Sequence, residues 1–99
     1  MRIAVSGATG RMGKLIIEAV LYSDDLKLAA AVTAPGVPEI GTDAGAAIGK
    51  TTGILISDNV QEIAKADVLV DFTRPQATLT YLPFCVAHNV GVVIGTTGF

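Results

Sequence analysis

Ile3-Ala4-Val5-Ser6-Gly7-Ala8-Thr9-Gly10-Arg11-Met12-Gly13 is the stretch that decides how this chain of 99 residues folds. Ile3-Ala4-Val5 is a short continuous apolar run ended by Ser6-Gly7, the pattern of a strand buried on both faces. From Arg11 the period changes. Met12, Leu15, Ile16, Ala19 and Val20 recur at i, i+3, i+4, i+7 and i+8, one stripe of an amphipathic helix. Arg11, Lys14 and Glu18 lie off that stripe. Between strand and helix stand Gly7, Gly10 and Gly13, spaced G-x-x-G-x-x-G. Gly7 suits a tight turn out of the strand, Gly10 a close approach of backbone amides to a pyrophosphate, and Gly13 close packing of helix on sheet. The helix N-terminus directs partial positive charge at the same place. Glycines that serve only turn sterics are the alternative. The strand before them and the helix after them are the context that favours phosphate binding.

Outward from this stretch the alternation continues. Ser23-Asp24-Asp25 closes the helix, and Leu28 to Val32 forms the next buried strand, which completes a βαβ unit. Residues 34–53 carry five glycines and two prolines. They read as a loop with one helical turn near Asp43 to Ile48, long enough to suggest a functional role. Ile54-Leu55-Ile56 is expected as a third strand, and Asp58 as the cap of a short helix to Lys65, with Gln61 in support. Val68-Leu69-Val70 is a fourth strand ending in Asp71-Phe72-Thr73-Arg74-Pro75. A helix is expected from about Gln76 to His88, kinked or delayed by Pro83. Asn89 and Gly91 stop it, and Val92-Val93-Ile94 runs as a fifth strand into Gly95-Thr96-Thr97-Gly98-Phe99. The pattern predicts an α/β fold, a Rossmann-like doubly wound parallel sheet over residues 1–99. A crossover helix is expected after the fifth strand, so the domain reads as cut short at that point.

Composition narrows the function. Hydrophobic residues make up 51% and charged residues 16% of the chain, which supports a packed core and excludes a disordered one. The net charge of −2, with no basic block, disfavours nucleic acid as a partner. One cysteine, Cys85, forms no internal disulfide and points to a reducing compartment, the cytoplasm. No apolar run approaches the roughly 20 residues of a membrane helix. His88 without cysteine or carboxylate company argues against a metal site.

Arg11 stands in the first helical turn, where a cation meets the dipole unfavourably. A neighbouring phosphate explains it, and a solvated side chain is the alternative. Thr33 and Ala34 occupy the end of the second strand, where a carboxylate commonly grips a cofactor's ribose hydroxyl. Neither an acid nor an arginine stands there, so NAD and NADP are not distinguished. Asp71 to Pro75 and Gly95 to Gly98 lie where open α/β sheets bind ligands. Their threonine hydroxyls and glycine backbone suit a nicotinamide carboxamide, or plain strand-end turns. Cys85 reads as a small core residue, with a reactive thiol as the alternative.

Four segments together resemble the dinucleotide-binding domain of the 4-hydroxy-tetrahydrodipicolinate reductase (dihydrodipicolinate reductase) family. They are Gly7-Ala8-Thr9-Gly10-Arg11-Met12-Gly13, Gly41-Thr42-Asp43-Ala44-Gly45, Asp71-Phe72-Thr73-Arg74-Pro75 and Val93-Ile94-Gly95-Thr96-Thr97-Gly98-Phe99. The resemblance runs the length of the chain. It implies that Gly7, Ala8, Thr9, Gly10, Arg11 and Met12 hold the pyrophosphate of NADPH or NADH. It also implies that Gly95, Thr96 and Thr97 meet the nicotinamide side, with Phe72 and Arg74 close by. By the same resemblance the activity is reduction of a cyclic dicarboxylate by hydride transfer, in the diaminopimelate route of lysine biosynthesis. It implies a C-terminal domain that binds substrate and assembles a homotetramer. No catalytic residue is assigned within residues 1–99, which alone are expected to be inactive. Short-chain reductases and semialdehyde dehydrogenases share the Gly-Ala-Thr-Gly start, but Tyr81 lacks the lysine partner the former need. A non-enzymatic NAD(P) sensor is the remaining alternative.

Overall fold

A computed structural model describes residues 1–73 and 75–95. Its elements are β1 (Arg2–Ser6), α1 (Arg11–Leu21), β2 (Lys27–Val32), β3 (Ile56–Ser57), β4 (Val68–Asp71), α2 (Pro75–Ala87) and β5 (Gly91–Ile94). Short 3-10 segments span Ala46–Ile48 and Val60–Lys65. The strands form one sheet in the order β3-β2-β1-β4-β5, with every pairing parallel. The chain therefore leaves β1 toward one edge, returns to β4, and leaves again toward the other edge. The reversal lies between β1 and β4, the place where such sheets open a ligand crevice.

Strand alternation sends successive residues to two cores. On one face Ile3, Val5 and Ala31 pack with Ile17 and Val20 of α1. On the other, Ala4, Ala30, Val32 and Leu69 pack with Ile63, Ala66, Val90 and Cys85 of α2. Cys85 is thus a buried core residue. The inner stripe of α1 differs from the periodicity reading. Met12 and Leu15 are 48% and 53% exposed, whereas Gly13, Ile17 and Val20 are buried. Gly13 has no side chain to hold the helix off the sheet, so the face centred on it turns inward.

Three further boundaries move. The third strand is Ile56–Ser57, because Leu55 instead makes an antiparallel bridge to Asp43. Asn59, not Asp58, caps the 3-10 segment, accepting from the Gln61 amide at 3.0 Å. The late start offered as one effect of Pro83 does not occur; α2 is one helix from Pro75 to Ala87 with Pro83 inside it. Its end is a Schellman turn. Asn89 takes φ of 57°, and the Val90 amide donates to the Cys85 carbonyl at 2.9 Å.

The long loop between β2 and β3 is ordered by one carboxylate. Asp43 Oδ1 accepts from the Gly45 amide at 2.8 Å and the Thr52 hydroxyl at 2.8 Å, and Oδ2 accepts from the Gly53 amide at 2.9 Å. Residues 41–44 then run antiparallel beside 54–56, with the Ala44 amide on the Ile54 carbonyl and the Ile56 amide on the Thr42 carbonyl. The edge of β3 is covered in this way, which removes an open strand edge. The donors to Asp43, led by the Gly45 amide, outweigh its desolvation and hold its pKa at about 2. A depressed folded-state pKa contributes stability that is complete above the unfolded value of roughly 4 and disappears as pH falls through the folded value. Asp43→Ala is therefore expected to release the amides of residues 45, 52 and 53 to fast hydrogen exchange at neutral pH. The wild type should show the same release only as pH falls toward 2. Unchanged protection in the variant would refute this role.

Candidate functional site

The site grows from the turn after β1. Gly7 takes φ of 72°, a left-handed conformation open to glycine. The Ala8 amide donates to the Val32 carbonyl at 3.1 Å, which ties the turn to the end of β2. Gly10 is the N-cap of α1 and supplies no side-chain acceptor, and the first helical turn holds no acid. The first intrahelical bond runs from the Lys14 amide to the Gly10 carbonyl at 3.0 Å. The amides of Arg11, Met12 and Gly13 therefore point out of the helix start without an intrahelical acceptor. Arg11 and Met12 are both exposed there.

Gly13 shows why these residues stand so close. A Cβ built on it would lie 2.0 Å from the Gly7 carbonyl oxygen and 2.9 Å from the Ala8 Cα. The helix start thus rests directly on the turn. A polyanionic phosphate group fits such a cradle of free amides, left-handed glycine and helix dipole.

Thr9 and Thr33 share a hydrogen bond of 3.0 Å between their hydroxyls. The second strand thereby offers a neutral hydroxyl pair beside the phosphate turn, at the place where an acid is common. Thr33 is buried and Ala34 exposed. Beside them opens a cleft of about 290 Å³ lined by Ala8, Thr9, Lys14, Glu39, Thr42 and Asp43, among others. Lys14 and Glu39 went unrecognised in the sequence, since only the unusual length of the loop marked this region. A larger cleft of about 410 Å³ lies at the β2–β3 edge, lined by Ala29 to Ala31 and by Ile54 to Ser57 among others. Its charged residues, Glu62 and Lys65, pair with each other, so it is the weaker candidate.

Across the reversal, the end of β4 carries a buried carboxylate. Asp71 Oδ1 accepts from the Ser6 hydroxyl at 2.7 Å, the Thr73 amide at 2.9 Å and the Thr73 hydroxyl. Burial pushes its pKa up, but the donors on Thr73, Thr78 and Ser6 outweigh that and hold it below the ordinary carboxylate range. Its backbone carbonyl accepts from the Gly95 amide at 2.8 Å, and the Phe72 amide donates to the Ser6 carbonyl at 3.3 Å. Phe72 lies over Gly95 so closely that a Cβ there would fall 2.1 Å from the ring. Of the residues singled out in the sequence, Gly7 to Met12 gather at the β1 end, and Phe72 meets Gly95 at the β4 and β5 ends. Arg74, Thr96 and Thr97 lie outside the described residues. The Ser6–Asp71 bond, which joins these segments, was missed because a contact 65 residues apart leaves no local pattern. Among the described residues no cluster of three or more metal-ligating side chains occurs, and no helix is long and apolar enough to cross a membrane.

A family model described as dihydrodipicolinate reductase, N-terminus, matches residues 1–99. The chain is 53% identical over 98 residues to 4-hydroxy-tetrahydrodipicolinate reductase of Bordetella parapertussis, covering 99% of this chain and 36% of that protein. It is 51% identical over 100 residues to the protein of that name from Burkholderia pseudomallei, covering 100% and 38%. A solved dipicolinate-bound dihydrodipicolinate reductase from Paenisporosarcina sp. TG-14 superposes with a TM-score of 0.77 at 25% identity, over 100% of this chain and 38% of that one. Aspartate semialdehyde dehydrogenase II from Vibrio cholerae superposes with a TM-score of 0.67 at 18% identity, over 97% and 30%, a likeness of fold alone. The chain thus spans little more than a third of the length of the curated relatives it matches.

The Gly7–Gly13 contact sets a graded expectation. Gly13→Ala forces backbone against backbone, and overpacking of this kind costs about 1–3 kcal/mol. Gly10→Ala places its Cβ 3.3 Å from the Gly7 oxygen, a tighter fit that α1 can absorb. Urea unfolding should rank Gly13→Ala well below Gly10→Ala in stability. The reverse order would show that α1 does not rest on this turn.

Proposed function

Since this chain belongs to the dihydrodipicolinate reductase family, matching its N-terminal model from residue 1 to 99, we propose that it forms the NAD(P)H-binding part of a 4-hydroxy-tetrahydrodipicolinate reductase. The observation that carries this reading is the cradle at residues 7–13, where the helix start rests on the Gly7 carbonyl. The free amides of residues 11–13 would hold the pyrophosphate of the dinucleotide, with Arg11 available to a phosphate oxygen. Thr33, Lys14 and Glu39 would hold the adenosine half, and Phe72 and Gly95 the nicotinamide half; the family resemblance assigns Arg74, Thr96 and Thr97 to the same half. When bound, the nicotinamide supplies a hydride. The residues of this chain orient the ring and keep water from one of its faces.

The wider reading rests on the family. The full-length protein reduces a cyclic dicarboxylate in the diaminopimelate route to lysine. A C-terminal domain supplies the substrate contacts and catalytic acid, and the protein works as a cytoplasmic homotetramer. Substrate positioning contributes roughly 7–11 kcal/mol to such reactions, so residues 1–99 alone are inactive. The decisive assay measures reduction of the dipicolinate precursor by the full-length protein and by residues 1–99, side by side. Comparable turnover by the two would overturn the division of labour.

Two substitutions in the full-length protein test the cofactor site. Charge-assisted hydrogen bonds contribute about 1.5–3 kcal/mol, so Arg11→Ala should weaken NADPH binding about tenfold or more by fluorescence titration. The Thr9–Thr33 pair is neutral, and the Lys14 cation shares the cleft with Glu39, so the wild type should accept NADPH at least as well as NADH. Ala34→Arg, at an exposed position, should raise the preference for NADPH at least fivefold by pairing with the 2′-phosphate. A wild-type preference for NADH above about a hundredfold would contradict the neutral-pair reading.

A further inference from the structure

We propose that Asp71 is an electrostatic positioning residue of the cofactor site, whose buried negative charge favours the cationic oxidised nicotinamide over the neutral reduced ring. The inference rests on the dinucleotide reading above and goes beyond the contacts which that reading names. Asp71 closes β4 at the sheet's reversal, on the side where the nicotinamide half of a dinucleotide lies in this topology. It is fully buried at 0% exposure. Every described partner of its carboxylate is a hydroxyl or an amide, supplied by Ser6, Thr73 and Thr78, and none is a cation. Its Oδ2 is buried with no hydrogen-bond partner. Among the described residues the charge is held in place by neutral dipoles, and no cation pairs with it.

Three of the site's walls hang on this residue. Its carboxylate grips Ser6, the residue before the phosphate turn, and fixes Thr73 beyond Phe72. Its carbonyl holds the Gly95 amide, and Gly95 lies under the Phe72 ring. Geometry alone would make Asp71 a brace, equally useful to either redox form of the cofactor. The charge, paired with no cation among the described residues, adds a second consequence. A dihydronicotinamide that has given a hydride, with its two electrons, to the substrate is left as a cation. Unit charges several ångströms apart in a protein interior interact strongly enough to move an equilibrium tenfold or more. A buried carboxylate at the nicotinamide end therefore eases hydride departure by favouring its product.

The experiment separates brace from charge by comparing the two redox forms in the full-length protein. Dissociation constants of NADP⁺ and NADPH are measured for the wild type and for Asp71→Asn. Asparagine keeps an oxygen for the Ser6 and Thr73 donors and places its amide where Oδ2 has no partner. The expected result is a rise of about tenfold in the ratio of the NADP⁺ to the NADPH dissociation constant. A ratio unchanged within twofold overturns the proposal and leaves Asp71 a brace. A wild type that binds neither form overturns the dinucleotide reading itself. Asp71→Ser also removes the charge and takes its place if Asp71→Asn does not fold, with the same rise expected. Ser6→Ala is the control that loosens the brace and keeps the charge. Both of its dissociation constants should rise with the ratio steady or shifted toward NADP⁺. A ratio that moves toward NADPH by tenfold in Ser6→Ala would equally refute the role of the charge.

Discussion

Contact between the start of α1 and the carbonyl of Gly7 is the constraint on which the rest of this structure depends. With a Cβ on Gly13 the helix would stand off the sheet, because backbone atoms of Gly7 and Ala8 occupy that space. Close seating turns Ile17 and Val20 into the core with Ile3 and Val5. It leaves Met12 and Leu15 exposed. It also brings the free amides of the first helical turn over the end of β1, where the sheet reverses. One missing side chain thus sets the packing of a core face and the geometry of an anion cradle together.

The second half of the site is held by a different device. β1, β4 and β5 end side by side, and Asp71 joins them through Ser6, Thr73 and the Gly95 amide. Burying an anion away from water is costly unless donors surround it. Here the donors belong to the segments that need aligning, so satisfying the charge and aligning the site are one event. Burial first, and then the same charge, raises the pKa of Tyr81 and Cys85 on α2. Cys85 accordingly stays a neutral thiol packed in the core.

The long connection from β2 to β3 plays its part through Asp43. By gathering the amides of residues 45, 52 and 53, this carboxylate folds a glycine-rich segment back along β3. The fold-back covers the sheet edge and brings Glu39 and Thr42 to the cleft beside Thr9 and Lys14. A loop of this composition has little preference of its own. Its shape follows from the one side chain that satisfies its amides.

Much of the architecture was legible along the chain. Apolar runs of three to five residues, the change of period at Arg11 and the glycines at 7, 10 and 13 are local signals, and they specify strands, helix and turn through short-range sterics. The alternation of these elements, with the right-handed crossover rule, leads to a parallel Rossmann-like sheet, which is the sheet observed. Local pattern failed where a residue's role is defined by a distant partner. The inner stripe of α1 depended on how closely Gly13 approaches the β1 turn, and the third strand on whether Leu55 or Ser57 finds a neighbour. Asn59 won the cap from Asp58 because its side chain reaches the Gln61 amide. The Thr9–Thr33 pair and the Ser6–Asp71 bond join residues 24 and 65 positions apart. Sequence by itself determined which segments become strands and where phosphate-binding backbone is exposed, since steric preference and periodicity act over a few residues. Only the tertiary structure decided which polar side chains meet across the strand ends, because those meetings require the sheet to be assembled first.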